Sequence, residues 1–315
     1  MARIPLILDC DPGVDDGVAL LLAFASADVL DLRGITTVGG NVSLAQTTRN
    51  ARLMRQLAGA AAERVPVFAG CAGPMLRPLV EAEHFHGDSG LGNLAIFEPA
   101  APAAAGHAVN FIVDTLLREP AGTVSLAVTG PMTNLAMAMR LAPAILSRVR
   151  QVVVMGGARS EGGNITASAE YNIYADPHAA AVVLGSGVPL VVLGLDATHQ
   201  VRSSPARIAR IRALGSVPAR AAADLMDFAA ALEWNVATGE GAPLHDPCTL
   251  AWLLAPELFE LVPCHLEVET ASPLSLGHTA VEFREVPGRS MTARWATRAD
   301  GAGVFELLTR RLAAL

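Results

Sequence analysis

Residues 6–20 have the sequence LILDCDPGVDDGVAL, and this stretch decides the fold class of the chain. Ile4–Leu8 is an apolar run that predicts a buried strand. Pro12 and Gly13 predict a turn, and a helix is expected to begin at about Asp15 and to continue through Gly17–Ala27. In an open parallel sheet, ligands bind at the loop that follows a strand's carboxyl end. The turn is therefore the first candidate for a functional site.

Four aspartates lie within eight residues of this turn: Asp9, Asp11, Asp15 and Asp16. Asp15 and Asp16 fall in the first helical turn, where free N–H groups and the helix dipole favour negative charge. Helix capping and solvation of the turn would account for one or two of these carboxylates. Four of them would repel one another without a cation, and an all-oxygen ligand set suits Ca²⁺ or Mg²⁺ rather than zinc.

Apolar strand patterns alternate with helical patterns along the rest of the chain. This alternation predicts βαβ units and an α/β fold with an open, mostly parallel, Rossmann-like sheet flanked by helices. After Leu261 the pattern changes to a few peripheral strands closed by a last helix, Gly303–Leu312. We expect a single domain spanning 1–315. The other predicted elements are the strands Leu32–Val38, Val124–Val128, Gln151–Met155 and Leu190–Leu195, and a helix over Ser43–Leu57 with Ser43 as its N-cap.

Composition argues against several classes of partner. The net charge is −7, every basic residue is an arginine, and no dense basic stripe is present, so a nucleic-acid partner is not expected, although a single nucleoside is compatible. The apolar runs fall short of the roughly 20 residues needed to cross a bilayer, so no membrane partner is expected. The amino-terminal residues do not resemble a signal peptide, which predicts a cytoplasmic protein. The four cysteines have no C-x-x-C spacing and are expected to be reduced.

Three downstream segments carry further candidates. Asp246 precedes Pro247 and an apolar run, which indicates a helix start, and by itself Asp246 is read more simply as a cap. Asp176, which also precedes a proline, is interpreted as a cap. The glycine-rich segment 155–164 follows a strand and predicts an exposed functional loop. Residues 128–134, VTGPMTN, could offer a backbone carbonyl to a metal or could be a plain strand-to-helix turn capped by Thr133.

Glu170 and Asn172 follow the glycine-rich loop at alternate positions. In an extended segment, alternate side chains point the same way. A carboxylate accepts hydrogen bonds, and an amide both donates and accepts them, so the pair suits the hydroxyl groups of a sugar.

Taken in order, these segments resemble the inosine-uridine nucleoside hydrolase family from Ile7 to about Ala251. The resemblance implies the nucleoside hydrolase fold and hydrolysis of the N-glycosidic bond of ribonucleosides to free base and ribose. It also suggests a homodimer or homotetramer. The motifs that carry it are DCDPGVDD at 9–16, GGN at 39–41, TGPMTN at 129–134, MGG at 155–157, AEYNIYADP at 169–177 and HDP at 245–247.

The resemblance also implies a set of site residues. A single Ca²⁺ would be held by the carboxylates of Asp11, Asp16 and Asp246 and by the main-chain carbonyl of Thr129. We further hypothesise that Asp11 takes a proton from a Ca²⁺-bound water and that His245 protonates the departing base. The family's ribose contacts fall at Asp15, Asn41, Asn164, Glu170 and Asn172, and its base-side histidines at His86 and His245.

Trp234 and Phe228 lie on the predicted helix before Pro243 and are further candidates for stacking on a base. Core packing is the preferred role for Phe228, whereas Trp234 fits either role.

Two other functions are compatible with parts of the pattern. An aspartate-based phosphatase also carries D-x-D after its first strand, but this chain has no lysine to bind phosphate, and an arginine would have to substitute. A non-catalytic, Ca²⁺-dependent nucleoside- or sugar-binding protein would use the acidic turn structurally. Asp11 argues against that class, because a pure binder needs no base beside the bound water.

Overall fold

The computed structural model describes residues 3–232, 240–291 and 293–315. Its main feature is a nine-stranded sheet in the order β10-β9-β11-β6-β5-β4-β1-β2-β3, and a separate two-stranded sheet pairs β7 with β8. The strands are β1 (Ile4–Cys10), β2 (Leu30–Thr37), β3 (Val67–Ala69), β4 (Val124–Val128), β5 (Val149–Met155), β6 (Leu190–Leu193), β7 (Arg202–Ser203), β8 (Ala242–Pro243), β9 (Phe259–Val268), β10 (Thr279–Glu282) and β11 (Ala293–Ala299).

The strands from β11 to β3 in this order are parallel to their neighbours, and β9 is antiparallel to both β11 and β10. The prediction of an open, mostly parallel α/β sheet is thus confirmed. The carboxy-terminal strands extend the same sheet at one edge, because β11 pairs directly with β6.

Helices cover both faces of the sheet. They are α1 (Val14–Phe24), α2 (Leu44–Leu57), α3 (Glu83–His86), α4 (Ala108–Arg118), α5 (Thr133–Leu141), α6 (Tyr171–Ala175), α7 (Pro177–Leu184), α8 (Leu195–Thr198), α9 (Pro205–Arg212), α10 (Val217–Leu232), α11 (Pro247–Leu254) and α12 (Gly301–Leu312).

Strand β1 shows why the sheet has two apolar layers. Leu6 and Leu8 join the layer that contains α1, α2, α10, α11 and α12, whereas Ile7 joins the layer of α4, α5 and α7. Successive side chains of a strand point to opposite faces, so a strand that is apolar throughout is buried on both. Helix α1 is also apolar on nearly every side, and Asp15 is its one residue that is not fully buried. The first helix therefore lies in the core and presents its amino-terminal end to the carboxyl edge of the sheet.

The order in which successive strands are added to the sheet changes side at β1. The chain continues from β1 to β2 and β3 on one side, and later returns with β4, β5 and β6 on the other. Such a switch point leaves a crevice at the carboxyl ends of the two central strands. Asp11 follows β1 and Thr129 follows β4, so these two of the four predicted metal-binding residues lie at this crevice.

Two predicted boundaries were wrong in instructive ways. The segment predicted as the strand Leu190–Leu195 ends at Leu193, and Leu195 begins the one-turn helix α8. Thr133 does not cap α5, because Met132 is the N-cap residue and the Thr133 hydroxyl donates to Asp176 at 2.7 Å. Ser43 does precede α2, and Asp176 does cap α7 by accepting from the Ala179 N–H.

No helix in the described ranges is long and apolar enough to span a membrane. The four cysteines form no disulfide, as expected.

Candidate active site at the carboxyl ends of the parallel strands

A cavity of about 230 Å³ opens at the switch point. Asp15 of the acidic turn lines it, whereas the predicted ligands Asp11 and Asp16 do not, and its walls come from the loops after β4, β5 and β6 and from the segment before α11. The lining residues are Asp15, Asn41, Ala82, His84, Phe85, His86, Thr129, Met155, Asn164, Ile165, Glu170, Tyr171, Asn172, His199, Pro243, His245 and Asp246.

Asp16 is tied into the start of α1. One carboxylate oxygen accepts from the Gly13 N–H at 3.0 Å and from the Asn41 amide at 3.2 Å, and the other accepts from the Thr129 hydroxyl at 2.8 Å. Because these donors come from three separate segments, they fix the position of a buried carboxylate that faces its acidic neighbours. Burial, with Asp15 as the next contributor, raises the pKa of Asp16 to about 7.

Asp11 lies between two glycines. A Cβ atom at Gly40 would come within 2.0 Å of one of its carboxylate oxygens, and a Cβ at Gly130 within 2.5 Å of the other. Its Oδ2 accepts from the Asn41 backbone N–H at 2.7 Å. Its Oδ1 is buried and has no hydrogen-bond partner in the described part of the chain. A buried carboxylate oxygen without a donor is stabilised by a proton or by a cation. Burial, followed by the negative charge of Asp16, raises the pKa of this carboxyl well above its usual range.

Asp246 occupies the N-cap position of α11, but its side chain makes no capping hydrogen bond. Its carboxylate instead lies with those of Asp15 and Asp16, and one oxygen from each of the three falls within 4.8 Å of the others. The interpretation of Asp246 as a cap alone is therefore wrong. Burial is the largest cause that raises the pKa of Asp246 well above its ordinary value. The negative charges of Asp15, Asp16 and Asp11 raise it further, with Asp15 contributing most of the three.

This arrangement fits a divalent cation. Three oxygen-only side chains, those of Asp15, Asp16 and Asp246, converge. The predicted ligand Asp11 is not a member of this group, but it has a buried oxygen that lacks a partner among the described residues. Hard cations of the calcium and magnesium type take such ligands. The Thr129 carbonyl accepts from the Asn172 side-chain amide at 2.8 Å and, having two lone pairs, keeps one direction free.

Asp9 is separate from this cluster. It accepts from the Thr36 hydroxyl at 2.6 Å and from the Asn134 amide at 2.8 Å. It thus joins β2 and α5 beneath the turn. Asp9 is not one of the site residues that the resemblance implies, and these structural contacts are consistent with that.

The structure corrects the geometry predicted for Glu170 and Asn172. They do not alternate along an extended segment, because Glu170 is the N-cap of α6 and Asn172 lies in the first turn of that helix. The Glu170 carboxylate accepts from the backbone N–H groups of Asn172, Ile173 and Gly157 at 2.9, 3.2 and 2.9 Å. Both residues line the cavity, but Glu170 also closes the glycine-rich loop onto α6.

Asn164 and Asn41 line the cavity as the sequence predicts. The Asn164 side-chain oxygen accepts from the Tyr171 N–H at 2.8 Å, and Asn41 donates to both Asp11 and Asp16. Each amide therefore has one end engaged in structure, which fixes the orientation of the rest of the group.

His86 has a defined tautomer. Its Nδ1 accepts the backbone N–H of Val14 at 3.1 Å, so the proton of the neutral ring is on Nε2. Burial lowers the pKa of His86 to about 4, so the ring is neutral near pH 7. His86 lines the cavity and is placed to donate a hydrogen bond there without carrying a charge.

His245 stands beside Asp246 and also lines the cavity. Its Nδ1 is hydrogen-bonded to the Thr198 hydroxyl at 2.8 Å. Burial, followed by the proximity of His199 and Arg202, lowers its pKa to about 3. The ring is therefore neutral near pH 7 in the free protein.

Sequence reasoning missed His199, Tyr171 and Thr198. His199 follows α8 and lines the cavity, and its Nδ1 lies 3.0 Å from a Glu161 carboxylate oxygen. The rule that ligands bind after the carboxyl ends of parallel strands could have indicated His199, because β6 ends at Leu193, six residues before it. Tyr171 lines the cavity and donates its hydroxyl to the Val80 carbonyl at 2.7 Å.

The two aromatic candidates have different outcomes. Phe228 packs against the core and closes on Gly92, where an added Cβ would lie 2.5 Å from its ring, so the packing role is confirmed. Trp234 lies outside the described residues.

The metal-free protein is expected to lose stability as the pH rises from about 4 to about 7. Burial raises the pKa of Asp16 from 3.8 to about 7 and that of Glu170 from 4.5 to about 7. Through this window the buried carboxyls with raised pKa values hold protons that the unfolded chain has lost, and these carboxyls are Asp9, Asp11, Asp16, Glu170 and Asp246. They outnumber His86 and His245, whose lowered pKa values act in the opposite direction, so the free energy of unfolding falls as the pH increases. Urea unfolding at stepped pH measures the slope. Asp16→Asn should make it shallower, and an equal slope in that variant would contradict the prediction.

Comparisons with known proteins identify a family and a common fold. The family model described as inosine-uridine preferring nucleoside hydrolase matches residues 6–306. A pyrimidine-specific ribonucleoside hydrolase of Salmonella gallinarum is 40% identical over 310 residues, with 98% of each chain covered.

Two solved structures are similar over nearly their full length. A purine-preferring ribonucleoside hydrolase from Gardnerella vaginalis is 32% identical, with a TM-score of 0.90 and 98% of each chain covered. A plant nucleoside hydrolase is 27% identical, with a TM-score of 0.91 and 100% of each chain covered.

Proposed function

The chain belongs to the inosine-uridine preferring nucleoside hydrolase family and is a ribonucleoside hydrolase, and we propose that it works with Ca²⁺ in the acidic cluster and with Asp11 as general base. The observation that carries this proposal is the buried Oδ1 of Asp11, which has no partner among the described residues, in a carboxyl on which Asp16 and Asp15 act electrostatically. An unpartnered carboxylate oxygen suits both the binding of a cation and the acceptance of a proton from an attacking water.

We assign Asp11, Asp16, Asp246 and the Thr129 carbonyl as the cation ligands. When bound, the cation would orient a water molecule and lower its pKa. The same positive charge would keep the carboxylates of Asp11, Asp16 and Asp246 ionised, which burial otherwise opposes. Asp15, which is only partly buried and faces the cavity, is left to contact the ribose.

Hydrolysis of the N-glycosidic bond joins a water oxygen to the anomeric carbon and releases the base with its bonding electron pair. The sugar passes through an oxocarbenium-like state with positive charge. Asp11 accepts the proton of the attacking water, and the excess negative charge of the cluster stabilises the sugar cation. Asn41, Asn164, Glu170 and Asn172 are proposed to bind the ribose hydroxyls.

The base end of the cavity is assigned to the histidines. His86 would donate its Nε2–H to an acceptor on the base, because Nδ1 is held by the Val14 N–H. His245 would deliver the proton to the departing base. Its ring is neutral in the free protein, so it must first take up a proton from solvent, which the negative charge that develops on the base favours by raising the pKa of His245.

Other parts of the proposal concern the whole protein. The nine-stranded sheet runs through the described chain and supports a single domain spanning 1–315. The cytoplasmic location and the homodimeric or homotetrameric assembly stay predictions. Base preference also stays open to experiment, since one similar protein is pyrimidine-specific and another is purine-preferring.

A substrate panel tests the proposal directly. Inosine, adenosine, uridine, cytidine and nicotinamide riboside are incubated with the protein, with and without a calcium chelator, and ribose release is measured. We expect release from at least one nucleoside, loss of activity with chelator and recovery with added Ca²⁺. Full activity in the chelator would contradict the role of the cation.

The same preparation distinguishes the two alternative functions. Hydrolysis of p-nitrophenyl phosphate without ribose release would favour an aspartate-based phosphatase. Tight nucleoside binding by calorimetry with no release of free base would favour a non-catalytic binding protein.

A further inference from the structure

Thr198 makes a contact to the proposed active site that no sequence motif indicates. It is the last residue of α8, its side chain is fully buried, and its hydroxyl lies 2.8 Å from Nδ1 of His245. No other hydrogen bond of this hydroxyl is present in the described part of the chain. A buried hydroxyl with one partner stabilises the orientation of that partner, because losing the bond leaves a polar group buried and unpaired.

The opposite side of the His245 ring faces the cavity. Nε2 has no hydrogen-bond partner among the described residues and is not fully buried. It is therefore accessible from the cavity that His245 lines. The His199 ring lies at a centroid distance of 5.8 Å and an angle of 58°, which limits tilting of His245 in that direction. The Leu244 N–H donates to the Val201 carbonyl at 2.8 Å and fixes the backbone next to the ring.

Helix α8 is itself firmly held. The Asp196 carboxylate accepts the backbone N–H groups of Arg159 and Ser160, each at 2.8 Å, and the Leu195 N–H donates to the Gly157 carbonyl at 2.9 Å. Gln200 donates from its side chain to the Asp196 carbonyl at 2.6 Å. A helix of four residues would not hold a fixed position by its own hydrogen bonds, so these contacts with the glycine-rich loop make it a stable support for Thr198.

We propose that Thr198 is a positioning residue, which holds the His245 imidazole with Nε2 directed at the departing base. If the ring rotated by half a turn about the Cβ–Cγ bond, a carbon would face Thr198 and the hydroxyl would lose its partner. The Thr198 hydroxyl can donate to Nδ1 of the neutral ring and can accept from Nδ1–H of the protonated ring, so it holds Nε2–H toward the base in both states. The inference rests on the proposed role of His245 in the function given above.

Three variants test this inference in the full-length, Ca²⁺-loaded protein. Thr198→Val replaces the hydroxyl with a methyl group of similar size, and Thr198→Ser keeps the hydroxyl. Thr115→Val is the matched control, because Thr115 is equally buried and its hydroxyl has no partner in the described ranges. For Thr198→Val we expect kcat to fall roughly 10-fold with KM within about 2-fold of wild type, the loss that one misaligned catalytic hydrogen bond produces.

Rescue and non-additivity separate positioning from a general loss of stability. Thr198→Ser should recover most of kcat, and Thr115→Val should leave both constants unchanged. In a His245→Ala background, Thr198→Val should cause no further loss. Wild-type kcat in Thr198→Val, or an equal loss in the presence and absence of His245, would overturn the inference and leave Ca²⁺-dependent hydrolysis intact. An unaffected His245→Ala would overturn the role of His245 as well, whereas the proposed function as a whole fails only if the wild type does not release ribose.

Discussion

Asp11→Asn is expected to lower kcat by about 10²–10⁴-fold on inosine and uridine, the usual cost of removing a general base. An amide cannot take a proton from water. Its NH₂ group would also replace the buried Oδ1, the oxygen that has no hydrogen-bond partner in the described part of the chain. The backbone contact from Asn41 to Oδ2 uses the other oxygen and can persist, so the fold should be retained. Steady-state kinetics at saturating Ca²⁺, with circular dichroism as the check on folding, measures the effect.

Asp9→Asn is the matched control for that experiment. Asp9 lies on the same strand end, is equally buried and, like Asp11, has one buried oxygen without a partner in the described ranges, whereas its Oδ1 accepts from Thr36 and Asn134, which an asparagine oxygen can also do. Burial raises the pKa of Asp9 to about 6, and a raised pKa makes a neutral amide a closer substitute for the carboxyl. We expect activity within a few fold of wild type. Near-normal turnover by Asp11→Asn would refute the assignment of Asp11 as the base.

Much of the fold follows from local sequence pattern. Strand β4 has the predicted bounds Val124–Val128, and α1, α2 and α12 begin within a few residues of the predicted starts. Strands that are buried on both faces are apolar throughout and are flanked by turn residues, and both features are visible in one sequence. Such patterns also predicted a site at the loop after β1, because ligands of an open parallel sheet bind beyond the carboxyl ends of its strands.

Contacts between distant segments could not be predicted in this way. Thr198 and His245 are 47 positions apart, and their hydrogen bond depends on how α8 packs beside the start of α11. The N-cap position of Glu170 could not be predicted either. A glutamate that accepts from three backbone N–H groups leaves no periodic pattern in the sequence. The grouping of the aspartates could not be predicted either. The oxygens that lie within 4.8 Å of one another belong to Asp15, Asp16 and Asp246, whereas the sequence predicted Asp11 in the place of Asp15.

The cation affinities of four aspartate variants are expected to divide into two classes. Asp16→Asn and Asp246→Asn should each weaken Ca²⁺ binding by more than about 100-fold, because loss of a carboxylate ligand exceeds the 10–100-fold cost of losing an outer-shell contact. Asp11→Asn should weaken it as well, if its free Oδ1 is the remaining carboxylate ligand. Asp15→Asn should bind Ca²⁺ within about 10-fold of wild type and should instead raise KM, because a residue that contacts ribose contributes to substrate binding.

Calorimetric titration of metal-free protein with Ca²⁺ measures these affinities, and KM is obtained from ribose release at saturating Ca²⁺. The arrangement of Asp15, Asp16 and Asp246 makes the opposite outcome equally specific: if Asp15→Asn loses Ca²⁺ and Asp11→Asn keeps it, the cation lies within the three-carboxylate group and Asp11 acts as base alone. That division is physically consistent, because a base that does not ligate the cation keeps a higher pKa and accepts a proton more readily. A pH profile of kcat then separates the two arrangements, since the limb that requires ionised Asp11 lies at lower pH when the cation contacts it directly.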